Sequence, residues 1–164
     1  MELLSEMPRI FWAGDSTVKQ NDFTSYPQCG IGQGFSLFVK KEILIVNRAE
    51  NGRSTKSFID EGRLEFIKEN IHKGDFLFIQ FGHNDEKNDP LRYTDPQTTF
   101  KENLRTFIDT ARNAGAYPLL ITPLYRRLFT EEGKLVDNTH LTYPHAMLEV
   151  GRECDVPVID LCTM

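Results

Sequence analysis

Cysteine is scarce in this 164-residue chain, which has only Cys29, Cys154 and Cys162. Three scattered thiols cannot build a disulfide framework, and none falls in a C-x-x-C pair, so no structural zinc site is expected. They read as buried or idle thiols of a reducing compartment. Long apolar runs are also missing, and none approaches the roughly 18 residues of a membrane span. The opening Met1-Glu2-Leu3-Leu4-Ser5-Glu6 is acidic with a two-residue apolar patch, unlike a signal peptide. A cytoplasmic location is therefore expected, or an extracellular one where an export signal has been removed. There is no basic excess: 19 Lys and Arg stand against 24 Asp and Glu, for a net charge of −5. With no positive field, neither nucleic acid nor a membrane surface is expected as a partner. Repeats, linkers and low-complexity stretches are absent as well, so residues 1–164 read as one ordinary globular domain.

What is present is an alternation of short apolar runs with helical patterns. Arg9–Ala13, Ile43–Val46, Phe76–Phe81, Leu119–Thr122 and Val156–Leu161 read as five strands. They are continuously apolar, as strands covered on both faces of a parallel sheet are. Between them, Gln97–Ala114 carries Phe100, Leu104, Phe107, Ile108 and Ala111 at helical spacing, entered through Asp95-Pro96 and stopped by Gly115. Tyr143–Cys154 and Arg63–Ile71 repeat the pattern, and Gly34–Lys41 does so more weakly. The β-α-β-α order implies an α/β fold of three layers, α/β/α, around a five-stranded parallel sheet. Gly30-Ile31-Gly32-Gln33-Gly34 is not G-x-G-x-x-G and follows no strand, so it reads as a flexible loop entering a helix rather than a nucleotide cradle.

In open parallel sheets, ligand sites form beyond the carboxyl ends of the strands. Gly14-Asp15-Ser16-Thr17 follows the first run, Asn51-Gly52-Arg53-Ser54 lies after the second, and Gly82-His83-Asn84-Asp85 follows the third. These blocks hold a hydroxyl, a side-chain-free amide and a carboxamide, the groups that acyl transfer uses. Ser16 in a tight turn exposes its hydroxyl, though a serine needs a base to become a nucleophile at neutral pH. Asp15 reads as an acceptor organising that turn. Gly52 lets a backbone N–H approach a substrate oxygen, and Asn84 offers a neutral donor. Each also has a bland reading, as a turn serine, an Asn-Gly turn and a loop cap.

Taken together, the three blocks resemble those of the SGNH (GDSL-type) hydrolases. Their fuller wording, with Gln80-Phe81 before the third block, is similar to the rhamnogalacturonan acetylesterase-like branch. The similarity extends to Tyr143-Pro144-x-Ala146-Met147 and Val156-Pro157-x-Ile159-Asp160-Leu161. The resemblance implies a flavodoxin-like SGNH fold and a serine esterase that hydrolyses O-acetyl esters, on a carbohydrate such as pectic rhamnogalacturonan. Ser16 would be the nucleophile, and the Ser16 N–H, the Gly52 N–H and the Asn84 side chain would form the oxyanion hole. No cofactor and no metal are implied.

The family's fourth block, an Asp-x-x-His pair after the fifth strand, has no match here; three residues follow that strand. The base is therefore expected beyond Met164, together with a closing helix. A chain ending at Met164 is expected to be incomplete, marginal or self-associating, with Phe11, Phe76, Phe78 and Phe81 among the residues left bare. Asp137-Asn138-Thr139-His140 matches the wording but lies between the fourth strand and a helix. It reads as part of a loop shaping the pocket, with Asp137 and His140 a lesser candidate for the base. The rival function is a non-catalytic carbohydrate-binding or structural fragment of the same fold. Arg53, Lys56, Arg126 and Arg127 are candidates to offset the net negative charge beside an acidic substrate.

Overall fold

The computed structural model describes residues 7–136 and 139–164. Five strands form one sheet: β1 (Ile10–Gly14), β2 (Ile45–Asn47), β3 (Phe76–Gln80), β4 (Tyr117–Ile121) and β5 (Val158–Ile159). Their spatial order is β2-β1-β3-β4-β5, and every pair is parallel. This is the doubly-wound flavodoxin-like order. Five helices lie between the strands: α1 (Ile31–Gly34), α2 (Thr55–Asp60), α3 (Arg63–Asn70), α4 (Thr99–Asn113) and α5 (Tyr143–Glu153).

One sheet face carries the main core. Phe11, Leu77, Ile79, Phe81 and Leu120 pack there against Phe58 of α2, Ile67 of α3, Leu104 and Phe107 of α4, and Met147 and Val150 of α5. The apolar positions of α4 recur every three to four residues, which turns one stripe of it to the sheet. The other face is more thinly covered. Trp12 meets Phe35 and Phe78 edge-on there, with ring centroids 5.7 and 5.0 Å away. Phe76, Phe78 and Leu119 remain half-buried, and Tyr117 and Ile159 are 59% and 40% exposed. Of the four phenylalanines expected to lie bare, Phe11 and Phe81 are fully buried on the helix-covered face, and only Phe76 and Phe78 point to the thin one.

Several boundaries differ from the sequence reading. Strand β2 starts at Ile45 rather than Ile43, because the Ile43 N–H is spent closing a turn on the Lys40 carbonyl. Strand β5 shrinks to two residues. The pattern over Gly34–Lys41 is the short helix α1 followed by a 3₁₀ turn at Phe35–Phe38. Helix α2 was not read at all. It starts on a reciprocal cap, in which the Ser57 N–H donates to the Ser54 hydroxyl and the Ser54 N–H to the Ser57 hydroxyl. The glycines at 30 and 32 are close-approach residues rather than a flexible loop. A Cβ on Gly30 would sit 2.2 Å from the Lys19 carbonyl oxygen, and one on Gly32 2.7 Å from that of Val18. They seat α1 against the segment that follows Ser16.

Candidate active site

The ends of β2, β1 and β3 lie side by side, and the three blocks leaving them meet. At the end of β1 the chain turns sharply. A Cβ on Gly14 would lie 2.8 Å from Val18 Cγ2 and 3.0 Å from the Gln80 carbonyl oxygen. The fully buried Asp15 builds this turn: its Oδ1 accepts from the Thr17 N–H at 2.9 Å and the Thr17 hydroxyl at 2.8 Å. Its carbonyl accepts from the N–H groups of Val18 and Lys19. Burial raises the Asp15 pKa, against the opposing pull of the Thr17 bonds. Asp15 is thus the turn organiser the sequence suggested. Ser16 stands at the crest, half-buried, and its hydroxyl makes no hydrogen bond among the described residues.

From β2, the Asn47 side chain donates to the Val18 carbonyl at 2.8 Å and accepts from the Ala49 N–H at 3.0 Å. The chain then reaches Gly52, whose φ is +75°. A Cβ there would touch only an Arg92 guanidinium nitrogen, at 3.9 Å. It is therefore backbone conformation, not crowding, that favours glycine. From β3, Gly82 turns at φ +138°, with Pro123 packed where its Cβ would be. The buried Asn84 follows. Its Nδ2 donates to the Arg53 carbonyl at 3.1 Å and lies 3.4 Å from Asp15 Oδ2. One carboxamide thus touches both other blocks.

Asp85, fully buried beside it, ties the site to the helices. Its Oδ1 accepts from the Thr55 N–H and hydroxyl and from the Thr94 hydroxyl, while its Oδ2 has no partner. Burial raises its pKa to about 7, against those hydrogen bonds. The Tyr143 hydroxyl donates to the Asp85 carbonyl. Nothing local in the sequence marks this hub, because Thr55 and Tyr143 lie 30 and 58 positions away.

His140 does not serve as a free base in this structure. It is fully buried, with Nε2 on the Leu124 carbonyl at 2.7 Å and Nδ1 facing Glu86 at 3.2 Å. Asp137, its proposed companion, lies outside the described residues. His83 packs edge-on against His140 at 4.3 Å, with Nδ1 3.7 Å from Asp15 Oδ2. Burial, with the positive charges of His140, Arg126 and Lys87, lowers its pKa to about 3. The candidate charge readers are largely committed elsewhere. Arg53 pairs with Glu61, Lys56 with Asp60, and Arg126 with Glu86, and Arg127 stacks on Phe129. A guanidinium nitrogen of Arg92, which the sequence did not single out, also lies near Gly52; Arg92 is itself paired through Nε with Asp89 at 2.6 Å, and with Asn51, Gly52 and Leu91 it lines a cavity of about 280 Å³. No group of three or more His, Cys, Asp or Glu among the described residues could hold a metal ion.

Residues 13–164 match the GDSL-like lipase/acylhydrolase family. The chain is 46% identical over 153 residues to rhamnogalacturonan acetylesterase RhgT of Bacillus subtilis, covering 93% of this chain and 64% of RhgT. It is 46% identical to the probable rhamnogalacturonan acetylesterase YesY of the same organism, covering 93% of this chain and 69% of YesY. The crystal structure of Bacillus subtilis YxiM superposes with a TM-score of 0.81 at 30% identity, over 95% of this chain and 44% of that one. The chain therefore spans about two thirds of the curated relative RhgT and less than half of YxiM. Sheet order, block placement and the match over residues 13–164 agree: the chain belongs to the GDSL-like lipase/acylhydrolase family.

Proposed function

We propose that these residues carry the nucleophile and acyl-binding half of a serine esterase that removes O-acetyl groups from a carbohydrate. The observation that carries this reading is the Asn84 carboxamide, which touches the Arg53 carbonyl of the Gly52 block and the carboxylate preceding Ser16. The acetylesterase relatives support the same chemistry and suggest pectic rhamnogalacturonan as the substrate. Ser16 Oγ would attack the ester carbonyl while its proton passes to a base. The resulting oxyanion would take hydrogen bonds from the Ser16 N–H, the Gly52 N–H and the Asn84 Nδ2 hydrogen that faces Asp15 at 3.4 Å, a contact too long to hold it, while the other stays on the Arg53 carbonyl. The C–O bond to the sugar then breaks, the sugar oxygen gains the proton, and water hydrolyses the acetyl-serine. Removing one donor of this kind costs ~10²–10³ in turnover.

No described histidine bonds to Ser16, so the base is proposed to be a histidine outside residues 1–164. That same lack of a partner favours a second reading, a non-catalytic fragment that binds carbohydrate. Nucleic acid and membrane surfaces are not proposed as partners, because the charge excess is negative. Self-association of the isolated 164 residues is proposed from the thinly covered sheet face.

The test is p-nitrophenyl acetate turnover and fluorophosphonate labelling by the full-length polypeptide, with and without Ser16→Ala. Loss of both in the variant is expected. Equal turnover by the two proteins rejects the esterase reading, and labelling of Ser16 rejects the non-catalytic one.

A further inference from the structure

We propose that Glu86 is a positioning residue for the Asn84 carboxamide, acting through Arg126 and His140. The proposal rests on the esterase reading, which gives Asn84 its role as a donor.

The segment between β4 and α5 returns to the third block and grips it from one side. Arg126 Nη2 donates to the His83 carbonyl at 2.9 Å, and the Arg126 N–H donates to the Thr139 hydroxyl at 3.1 Å. The Arg126 guanidinium also forms an ion pair with Glu86, whose other oxygen faces His140 Nδ1. His140 Nε2 in turn meets the Leu124 carbonyl. The Leu124 carbonyl and the Glu86 carboxylate can only accept, so the contacts at Nε2 and Nδ1 are both hydrogen bonds when each nitrogen carries a hydrogen. Leu124, Arg126, Glu86 and His140 thus form a closed ring of contacts. Glu86 is the one member that directly follows the third block in the chain, and its side chain is only 10% exposed.

The atom that Arg126 holds makes this ring relevant to chemistry. The His83 carbonyl is part of the peptide unit that joins His83 to Asn84. Fixing that planar unit fixes the Asn84 N–Cα bond, so that rotation about φ alone is left to turn the base of its side chain. The His140 ring lies against the His83 ring at 4.3 Å and limits rotation from the other side. The amide's own contacts, at 3.1 and 3.4 Å, lie at and beyond the long end of N–H···O distances. They would not hold it in place alone. A displacement of about 1 Å at a catalytic group can cost 10²-fold in rate. Without Glu86, Arg126 and His140 lose their common partner and the peptide plane loses its clamp.

Glu86→Ala and Glu86→Gln in the full-length polypeptide separate this role from general stability. Glutamine keeps a carbonyl for Arg126 and offers an N–H to Nδ1 of a neutral His140, so it preserves the ring. Turnover of p-nitrophenyl acetate is measured per serine titrated to completion with a fluorophosphonate, which removes misfolded protein from the count. The expected result for Glu86→Ala is a fall in kcat of tenfold or more, with KM within threefold of wild type and Glu86→Gln within threefold in both. A smaller fall in Glu86→Ala, or an equal fall in Glu86→Gln, overturns the proposal. Should Glu86→Ala fail to fold, Arg126→Ala decides by the same criteria, since it releases the His83 carbonyl from a partly exposed position. Failure of the esterase reading is distinguishable, because wild type itself would then not outpace Ser16→Ala.

Discussion

Replacing Asp85 with asparagine isolates the energetic effect of one buried carboxyl group. Burial raises the Asp85 pKa from 3.8 to about 7. The folded state therefore binds this proton more tightly than the unfolded chain does. Stability from this group is fully present below the unfolded value, near pH 4. It is lost as pH rises toward 7, because the unfolded chain releases the proton first, and it stays lost above that. A shift of about three units at 1.36 kcal/mol each makes the swing about 4 kcal/mol. Asparagine cannot ionise, yet its Oδ1 can still accept from Thr55 and Thr94. Its Nδ2 would occupy the place of the unpartnered Oδ2, and an unsatisfied buried donor costs about 1–3 kcal/mol at every pH. The slope, not the offset, is thus diagnostic. Urea unfolding of wild type and Asp85→Asn between pH 4 and 8 should show the difference in unfolding free energy moving toward the variant by several kcal/mol as pH rises. A difference that stays flat across that range refutes the reasoning, as does one that moves the other way.

Two further outcomes follow from packing. A Cβ on Gly151 would lie 2.2 Å from Val158 Cγ2 and 3.1 Å from the Val156 carbonyl oxygen. Gly151→Ala should therefore force α5 away from β5 and lower stability by about 1–3 kcal/mol despite alanine's better helix propensity, and an unchanged urea midpoint would contradict this. The thin face, where Tyr117 and Ile159 are exposed beside half-buried Phe76 and Phe78, should make the isolated 164 residues self-associate in light scattering; Tyr117→Lys should reduce the effect, and equal scattering by both proteins counts against it.

The strands were legible because a parallel strand covered on both faces reads as an unbroken apolar run, as Phe76–Phe81 does. Helix α4 was legible because Phe100, Leu104, Phe107 and Ala111 keep helical spacing with Gly115 past its end. Helix α2 was not, because Thr55 and Ser57 are polar residues and add nothing to an apolar helical spacing. Both are buried for reasons outside the segment: Ser54 caps the helix and Asp85 accepts from Thr55. At the site, the residues expected to touch substrate could be picked from short blocks, since each block is local to one strand end. The supporting contacts could not. Glu86 meets His140 across 54 positions, and Asp85 meets Tyr143 across 58. No periodicity encodes such pairs; they exist only once the sheet has ordered its strands. His140, read mainly as part of a pocket-shaping loop and only secondarily as a base, is the converse case. Its spacing from Asp137 imitates a catalytic pair, but burial against Leu124 and Glu86 spends both nitrogens.

The placement of β1 between β2 and β3 gives the site a ruler made of backbone. Trp12 pairs with Asn47 on one side and Phe78 on the other, and Gly14 pairs with Gln80. Neighbouring strands sit about 4.8 Å apart whatever their side chains. The spacing of the three blocks is therefore set in steps of that ladder, and a slip of one residue would turn every side chain of a strand to the opposite face. Point substitutions can tilt a group but cannot slide one block past another by a fraction of a residue. The connection after β4 lies outside this trio, so it is the more exchangeable part of the molecule. A segment grafted between β4 and α5 could reshape the mouth of the site while the ruler stays intact, provided the graft still brings a guanidinium and an imidazole to Glu86.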